Sequence, residues 1–195
     1  MRNYRHIEVR PIAGSLGAEI YGVDMARDLD PEVVAEMRQA LAAGVSCFNV
    51  AREGELAVLS EVALGMGRQA RISLRVNPDV DAQTHPYIAT GLKENKFGID
   101  IHAAEEVYGR AAALPNLRVT GIDCHIGSQL TDLAPFIDAL ERVLTLAERL
   151  GEIGIPIAHL DIGGGLGIRY TEEHPPEPAA YAAAMSYLLG DRPYE

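Results

Sequence analysis

From about residue 44 onward, short apolar runs alternate with longer stretches whose apolar residues recur at helical spacing. The apolar runs are typical of buried strands and cover residues 45–50, 71–76, 119–124 and 157–162. The stretches between and after them predict helices over residues 53–65, about 103–113, 133–150 and 178–189. A strand followed by a helix, four times over, indicates parallel βαβ units with right-handed crossovers.

The fold class is therefore α/β. The alternation fits both a doubly wound sheet and a (β/α)₈ TIM barrel, and periodicity alone does not choose between them. A complete barrel typically needs about 250 residues. Four units within 195 residues correspond to about half of one barrel.

The first thirty residues follow a different pattern. Residues 6–11 and 18–23 predict short strands with tight, glycine-rich turns. Asp30 and Pro31 then open a helix, because Asp is a good N-cap and Pro suits the first helical turn. This change predicts a short β-rich leader over residues 1–35 and an α/β domain over residues 36–195.

Composition and charge exclude several classes of protein. Hydrophobic residues make up 48% and charged residues 23% of the chain, as in ordinary globular proteins. A net charge of -11 with 17 basic residues argues against nucleic acid or an anionic membrane surface as a partner. No apolar run approaches about 18 residues, and the first residues carry charges, so we expect a cytoplasmic protein without a membrane span. Cys47 and Cys124 form no CxxC pair, which favours two buried thiols.

A glycine-rich loop follows the fourth predicted strand and contains Gly163, Gly164 and Gly165. Successive glycines allow backbone N–H groups to approach an anion without obstruction by side chains. In α/β barrels, the loops after the late strands are the usual phosphate site. The alternative is a turn that only needs positive φ angles, and the residues alone leave both interpretations open.

Two further groups follow the neighbouring strands. His125 and Ser128 come directly after the third strand, where they would point toward the same crevice as the glycine loop. They suggest a histidine that stacks on a ring or moves protons beside a hydroxyl that binds phosphate, or else a structural histidine. Arg75, near the end of the second strand, would pair with a carboxylate or a cofactor ring atom, or form a structural ion pair.

One triplet has the spacing of a metal site. His159 and Asp161 form an H-x-D pattern, and in a strand two such residues share a face. Iron dioxygenases use this pattern for two of three ligands. No histidine follows His174 to complete the set, so we expect no metal site.

Five sequence strings, taken together and in order, resemble the diaminopimelate decarboxylases, which belong to the alanine-racemase-like, fold-III pyridoxal-phosphate enzymes. The strings are CFNV at 47–50, SLRVNPDVDAQTHP at 73–86, TGLKENKFGI at 90–99, GIDCHIGSQ at 121–129 and HLDIGGGLG at 159–167. The resemblance covers residues 36–195, about four fifths of the chain.

The resemblance implies that the four strands are the fourth to seventh of a (β/α)₈ barrel that binds pyridoxal 5'-phosphate. It implies that His125 stacks on the pyridine ring and that Ser128, with the backbone of residues 163–165, holds the phosphate. Arg75 matches an arginine near the cofactor. The implied reaction acts on a small amino acid: meso-diaminopimelate loses the carboxylate at its D-centre and gives L-lysine.

Three features of the family have no match here. Its Schiff-base lysine lies on the first barrel strand, whereas Lys93 and Lys96 belong to the TGLKENKFGI loop. The EPGR segment and the C-terminal β-domain are also unmatched, since the chain ends at Glu195. These departures predict a fragment that is inactive alone, with a phosphate- or pyridoxal-phosphate-binding module completed by another chain as the alternative. Unpaired sheet edges favour a homo-oligomer or aggregation.

The leader resembles a different family. Residues 7–10, 14–20 and 22–24 are similar to the extreme N-terminus of the taurine dioxygenases, which use iron and 2-oxoglutarate. The similarity covers none of that family's metal ligands. It predicts a junction of two genes, or an artefact of gene prediction, with the joint between residues 30 and 43.

Overall fold

The structure is a computed structural model that describes residues 8–11, 18–21, 31–80, 98–170 and 172–194. Two short strands come first and pair antiparallel with each other. The remaining elements alternate between strand and helix. In chain order the elements are β1 (Glu8–Pro11), β2 (Ala18–Tyr21), α1 (Pro31–Ala42), β3 (Phe48–Val50), α2 (Gly54–Gly65), β4 (Ala70–Asn77), β5 (Ile99–Asp100), α3 (Ile101–Ala113), β6 (Leu117–Cys124), α4 (Ala134–Glu152), β7 (His159–Asp161) and α5 (Pro178–Leu189).

The main sheet has the strand order β3-β4-β6-β7, and every neighbouring pair is parallel. These are the four strands that the apolar runs predict, so the α/β class and the parallel sheet are confirmed. The short strand β5 pairs with the end of β4 and was not predicted, because two residues leave no periodic pattern. The division into a leader at 1–35 and a barrel domain at 36–195 stays a prediction.

Alternation along β4 separates an apolar face from a polar face. Ile72, Leu74 and Val76 are almost completely buried and belong to a core that includes residues from helices α2, α3 and α4. Ser73 and Arg75 lie on the opposite face, as successive side chains of a strand must. The helices therefore cover one side of the sheet, and the polar residues of β4 share the other.

A β-bulge in β6 changes which of its residues face the helices. The register runs from Ile72 opposite Val119 to Ser73 opposite Gly121, which leaves Thr120 as the extra residue. The Thr120 hydroxyl donates to the carbonyl oxygen of Ile72 at 3.2 Å. Beyond the bulge, Ile122 joins the apolar core while Gly121 lies beside Ser73.

Side-chain hydrogen bonds cap α3 and anchor α4. The Asp100 carboxylate accepts the N–H of His102 at 2.8 Å and caps α3. Arg142 on α4 donates to the carbonyl oxygens of Pro78 and Asp79, both at 2.9 Å. The outer helix α4 is thereby tied to the segment that follows the carboxyl end of β4.

Among the described residues, no helix combines the length and apolar character that crossing a bilayer would need. In the described sheet, β3 and β7 are the terminal strands of the order. Homo-oligomer formation or aggregation through such edges stays a prediction.

We expect the buried Tyr108 hydroxyl to contribute to stability. It lies 3.0 Å from the carbonyl oxygen of Gly121 and 3.4 Å from that of Leu74, so it joins α3 to two strands. Tyr108→Phe should lower the free energy of unfolding by about 1 kcal/mol, the usual net value of one hydrogen bond. Denaturant unfolding measures this change. Tyr187→Phe on α5 is the matched control, since Tyr187 is 86% exposed, and equal effects of the two variants would contradict the assignment.

Candidate cofactor site

The carboxyl ends of β4, β6 and β7 meet at one edge of the sheet because the three strands are parallel and adjacent. Arg75 lies near the end of β4. His125 and Ser128 follow β6 directly, and the glycine loop follows β7. The structure thus places every one of the site residues that the sequence predicts at this one edge. It is also the edge where α/β proteins bind their ligands.

Gly163 begins the glycine loop with a positive φ of 71°. Its N–H donates to the Asp161 carboxylate at 2.9 Å. A Cβ on Gly163 would lie 2.5 Å from the carbonyl oxygen of Cys124 and 2.9 Å from Nδ1 of His125. A side chain is excluded here because the His125 segment packs directly against the loop.

Gly165 and Gly164 have opposite surroundings. Gly165 has a φ of 102°, and a Cβ there would overlap the carbonyl oxygen of Gly127. That Cβ would also lie 3.6 Å from Cε1 of His125. A Cβ on Gly164 would meet no heavy atom within 4 Å outside its chain neighbours. The middle glycine therefore borders open space, while the two outer glycines pack against the loop after β6.

Hydrogen bonds join the two loops directly. The N–H of Leu130 donates to the carbonyl oxygen of Gly165 at 2.9 Å, and the N–H of Gly167 donates to that of Leu130 at 2.8 Å. The side chain of Gln129 also contacts both backbone polar groups of Ile168. Sequence reasoning missed Gln129 as a site residue, although it ends the same motif as His125 and Ser128.

A charged row crosses the polar face of the sheet. Arg75, Asp123 and Asp161 occupy equivalent register positions on β4, β6 and β7. Nε of Arg75 lies 3.9 Å from Oδ2 of Asp123, which makes an ion pair without a close hydrogen bond. Among the described residues, this Nε is buried without a hydrogen-bond partner. The ion pair agrees with the structural interpretation of Arg75. The buried Nε–H remains a donor for the other interpretation, a contact with a cofactor.

Cys124 precedes His125 but is unsuited to act as a nucleophile. The pKa of its thiol is raised to about 12, mainly by burial; the nearby carboxylates of Asp123 and Asp161 also raise it, and Arg75 lowers it by less. Cys124 is buried as expected, whereas Cys47 is only half-buried. At neutral pH the Cys124 thiol is protonated, and thiolate chemistry requires the deprotonated form.

The residues at this edge suit a phosphate attached to an aromatic ring. The imidazole of His125 lies against the glycine loop, Gly164 borders open space and Ser128 is exposed. The Nε–H of Arg75, which is buried without a hydrogen-bond partner among the described residues, is a further donor for a ligand.

Lys93, Lys96 and Glu195 lie outside the described residues. His159 and Asp161 share a face of β7, and within the described ranges no group of three potential metal ligands comes together.

Comparison with known proteins assigns the chain to a family. Residues 29–192 match the sequence profile of the pyridoxal-dependent decarboxylases, over their pyridoxal binding domain. This match spans most of the chain. The chain belongs to the pyridoxal-dependent decarboxylase family.

The similar sequences include diaminopimelate decarboxylases. The enzyme of Haemophilus influenzae is 56% identical over 158 residues, which cover 81% of this chain and 38% of that protein. The enzyme of Pseudomonas aeruginosa is 58% identical over 171 residues, which cover 88% of this chain and 40% of that protein. The chain therefore spans about two fifths of the length of these relatives. The sequence resemblance to diaminopimelate decarboxylases is confirmed.

Solved structures agree with this assignment. The diaminopimelate decarboxylase of Helicobacter pylori complexed with L-lysine aligns with a TM-score of 0.76 at 39% identity, covering 83% of this chain and 41% of that one. The enzyme of M. jannaschii in co-complex with L-lysine aligns with a TM-score of 0.71 at 38% identity, covering 80% and 37%. These neighbours decide between the two α/β folds: the four parallel strands are part of a TIM barrel. The similarity of the leader to dioxygenases stays a prediction.

The outer and middle glycines should differ sharply in their tolerance of a side chain. Gly165→Ala should lower the free energy of unfolding by about 2 kcal/mol or more, because a left-handed alanine alone costs about 1–2 kcal/mol and its Cβ would overlap Gly127. Gly164→Ala is the control and should change stability by less than about 0.5 kcal/mol. Denaturant unfolding of both variants measures the difference. Similar losses would show that the packing of the two loops does not select glycine.

The high pKa of Cys124 predicts slow alkylation. At pH 8 we expect iodoacetamide to modify Cys124 at least about a hundredfold more slowly than free cysteine, because the reacting thiolate is scarce and the side chain is buried. Mass spectrometric mapping over time measures the rate, and the same chain unfolded in urea is the control. Modification of the folded chain at the rate of the unfolded one would contradict the assignment.

Proposed function

We propose that the chain forms part of the cofactor site of a pyridoxal-phosphate-dependent decarboxylase that acts on meso-diaminopimelate. The reaction removes the carboxylate at the D-centre as CO2, and a proton takes its place to give L-lysine. The proposal is supported by the relatives that are named diaminopimelate decarboxylases and by neighbours that were solved with L-lysine.

One observation carries this proposal: the loop with His125 and Ser128 packs on the glycine loop at the carboxyl edge of the sheet. Neither loop offers a ring-stacking group and several anion donors by itself. Together they would provide an imidazole, a hydroxyl and successive backbone N–H groups for one ligand. That combination suits a phosphorylated pyridine better than it suits a bare phosphate, which needs no imidazole face.

Each residue would have a distinct role in binding the cofactor. His125 would lie against the pyridine ring, and Ser128 would donate its hydroxyl to the phosphate. The N–H groups of Gly164 and Gly165 would contact the phosphate as well. Gly163 would act through its shape, because its own N–H already donates to the Asp161 carboxylate.

Arg75 would contribute positive charge close to the cofactor. Its partner Asp123 is only 6% exposed and holds the guanidinium from one side. The buried Nε retains a donor without a partner among the described residues, and this favours a contact with a ligand group. Pyridoxal phosphate, when bound, supplies an electron sink for the electrons that the departing carboxylate leaves behind.

Loss of the His125 ring should weaken cofactor binding. We expect His125→Ala to raise the Kd for pyridoxal phosphate about tenfold, because a stacked aromatic contact contributes about 0.5–1.5 kcal/mol beyond its buried area. Absorbance titration of the purified chain measures the Kd. His102→Ala is the matched control, since His102 is exposed on α3 and lies far from both loops in sequence.

The outcomes separate the candidate functions. A wild-type chain that binds neither pyridoxal phosphate nor inorganic phosphate would overturn the proposal. Binding with release of CO2 from meso-diaminopimelate would support the decarboxylase, and borohydride reduction with peptide mapping would identify any lysine that carries the cofactor. Binding without CO2 release would agree with a decarboxylase fragment that is inactive alone and with a cofactor-binding module that another chain completes; CO2 release after addition of a second chain that supplies a lysine would then show completion.

A further inference from the structure

The side chain of Gln129 pairs with a backbone segment that is distant in sequence. Its Nε2 donates to the carbonyl oxygen of Ile168 at 2.9 Å, and its Oε1 accepts the N–H of Ile168 at 2.9 Å. A carboxamide has one donor end and one acceptor end, so a single orientation satisfies both groups. The side-chain amide of Gln129 therefore makes the pair of hydrogen bonds to Ile168 that the backbone of a residue on a neighbouring strand would make.

This contact extends the backbone pairing between the two loops. The neighbouring residue Leu130 exchanges hydrogen bonds with Gly165 and Gly167. Together with the two bonds of Gln129, four consecutive hydrogen bonds connect the segment after β6 to the segment after β7. They flank the positions where His125 and the glycines meet.

The backbone of Gln129 supports the same conclusion. Its φ is 59°, in the left-handed region that residues other than glycine rarely adopt. A strained residue persists where the surrounding contacts hold it in place. The two hydrogen bonds to Ile168 are contacts of that kind, and they depend on the side chain that only glutamine supplies at this length.

We propose that Gln129 is a positioning residue for the cofactor site: its carboxamide holds the loop with His125 and Ser128 in register with the glycine loop. This inference rests on the proposed function, since the position matters for a ligand that both loops contact. Gln129 acts through those two residues and through the glycines. Its loss should therefore change ligand binding more than it changes the stability of the fold.

The test uses the full chain and two variants at this position. Gln129→Glu keeps the shape and the acceptor but loses the donor to Ile168, while Gln129→Ala loses both. Gln39→Ala is the matched control, because Gln39 is exposed on α1. Four quantities are measured: the Kd of pyridoxal phosphate, the induced circular dichroism of the bound cofactor, hydrogen exchange at the Ile168 amide, and the Tm.

We expect both Gln129 variants to bind pyridoxal phosphate about tenfold more weakly, as the loss of one or two hydrogen bonds implies. Their induced circular dichroism should fall, and the Ile168 amide should exchange faster. The Tm should fall by no more than about 4 °C, because both bonds are exposed and a domain of this size shifts by about 2–4 °C per kcal/mol. Gln39→Ala should match the wild type in all four measurements.

Three results would overturn the positioning role. The first is that both variants keep wild-type affinity and circular dichroism although the Ile168 amide exchanges faster. This result would overturn the positioning role and leave the proposed function unaffected. A large fall in Tm in both variants, parallel to the loss of affinity, would show that Gln129 holds the fold. Absence of pyridoxal phosphate binding by the wild-type chain would overturn the proposed function, and the positioning role with it.

Discussion

The pairing of β4 with β6 is the constraint on which the rest of the structure depends. Seven residue pairs, from Ala70 opposite Leu117 to Val76 opposite Cys124, hold the two strands side by side. Because the register is set, Arg75 and Asp123 come to the same level, and the chain leaves β6 beside the end of β7. In the part of the chain that the structure describes, helix residues pack on the apolar face of the pair, while Arg75 and Asp123 lie on the opposite face.

The site itself is an assembly of two loops rather than a feature of either one. The carbonyl oxygen of Gly127 occupies the place where a side chain of Gly165 would be, and the ring of His125 lies against Gly163. Because glycine has no side chain at these two positions, the backbones of the two loops come into close contact. The loops are consequently closely packed where they touch, whereas Gly164 borders open space.

Local patterns predicted most of the fold and many of the site residues, because they depend on neighbouring positions. The predicted helix at 178–189 and strand at 71–76 match α5 and β4 within one residue at each end. The glycines and His125 could be found because parallel strands end at one edge. The contact between Gln129 and Ile168 joins positions 39 residues apart and has no periodic signal. The ion pair of Arg75 with Asp123 depends on register, which the sequence pattern does not specify.

The extra residue in β6 determines which residues at the carboxyl end of the strand face the core. Before Thr120 the odd-numbered residues Leu117 and Val119 align with the core side of β4, and after it the even-numbered Ile122 and Cys124 do. Strict alternation counted from Val119 would put Asp123 in the apolar core and Ile122 on the polar face. The extra residue Thr120 reverses this, so that Ile122 faces the core and Asp123 lies opposite Arg75. The chemistry of the site is kept on the correct face by the number of residues as much as by their identity.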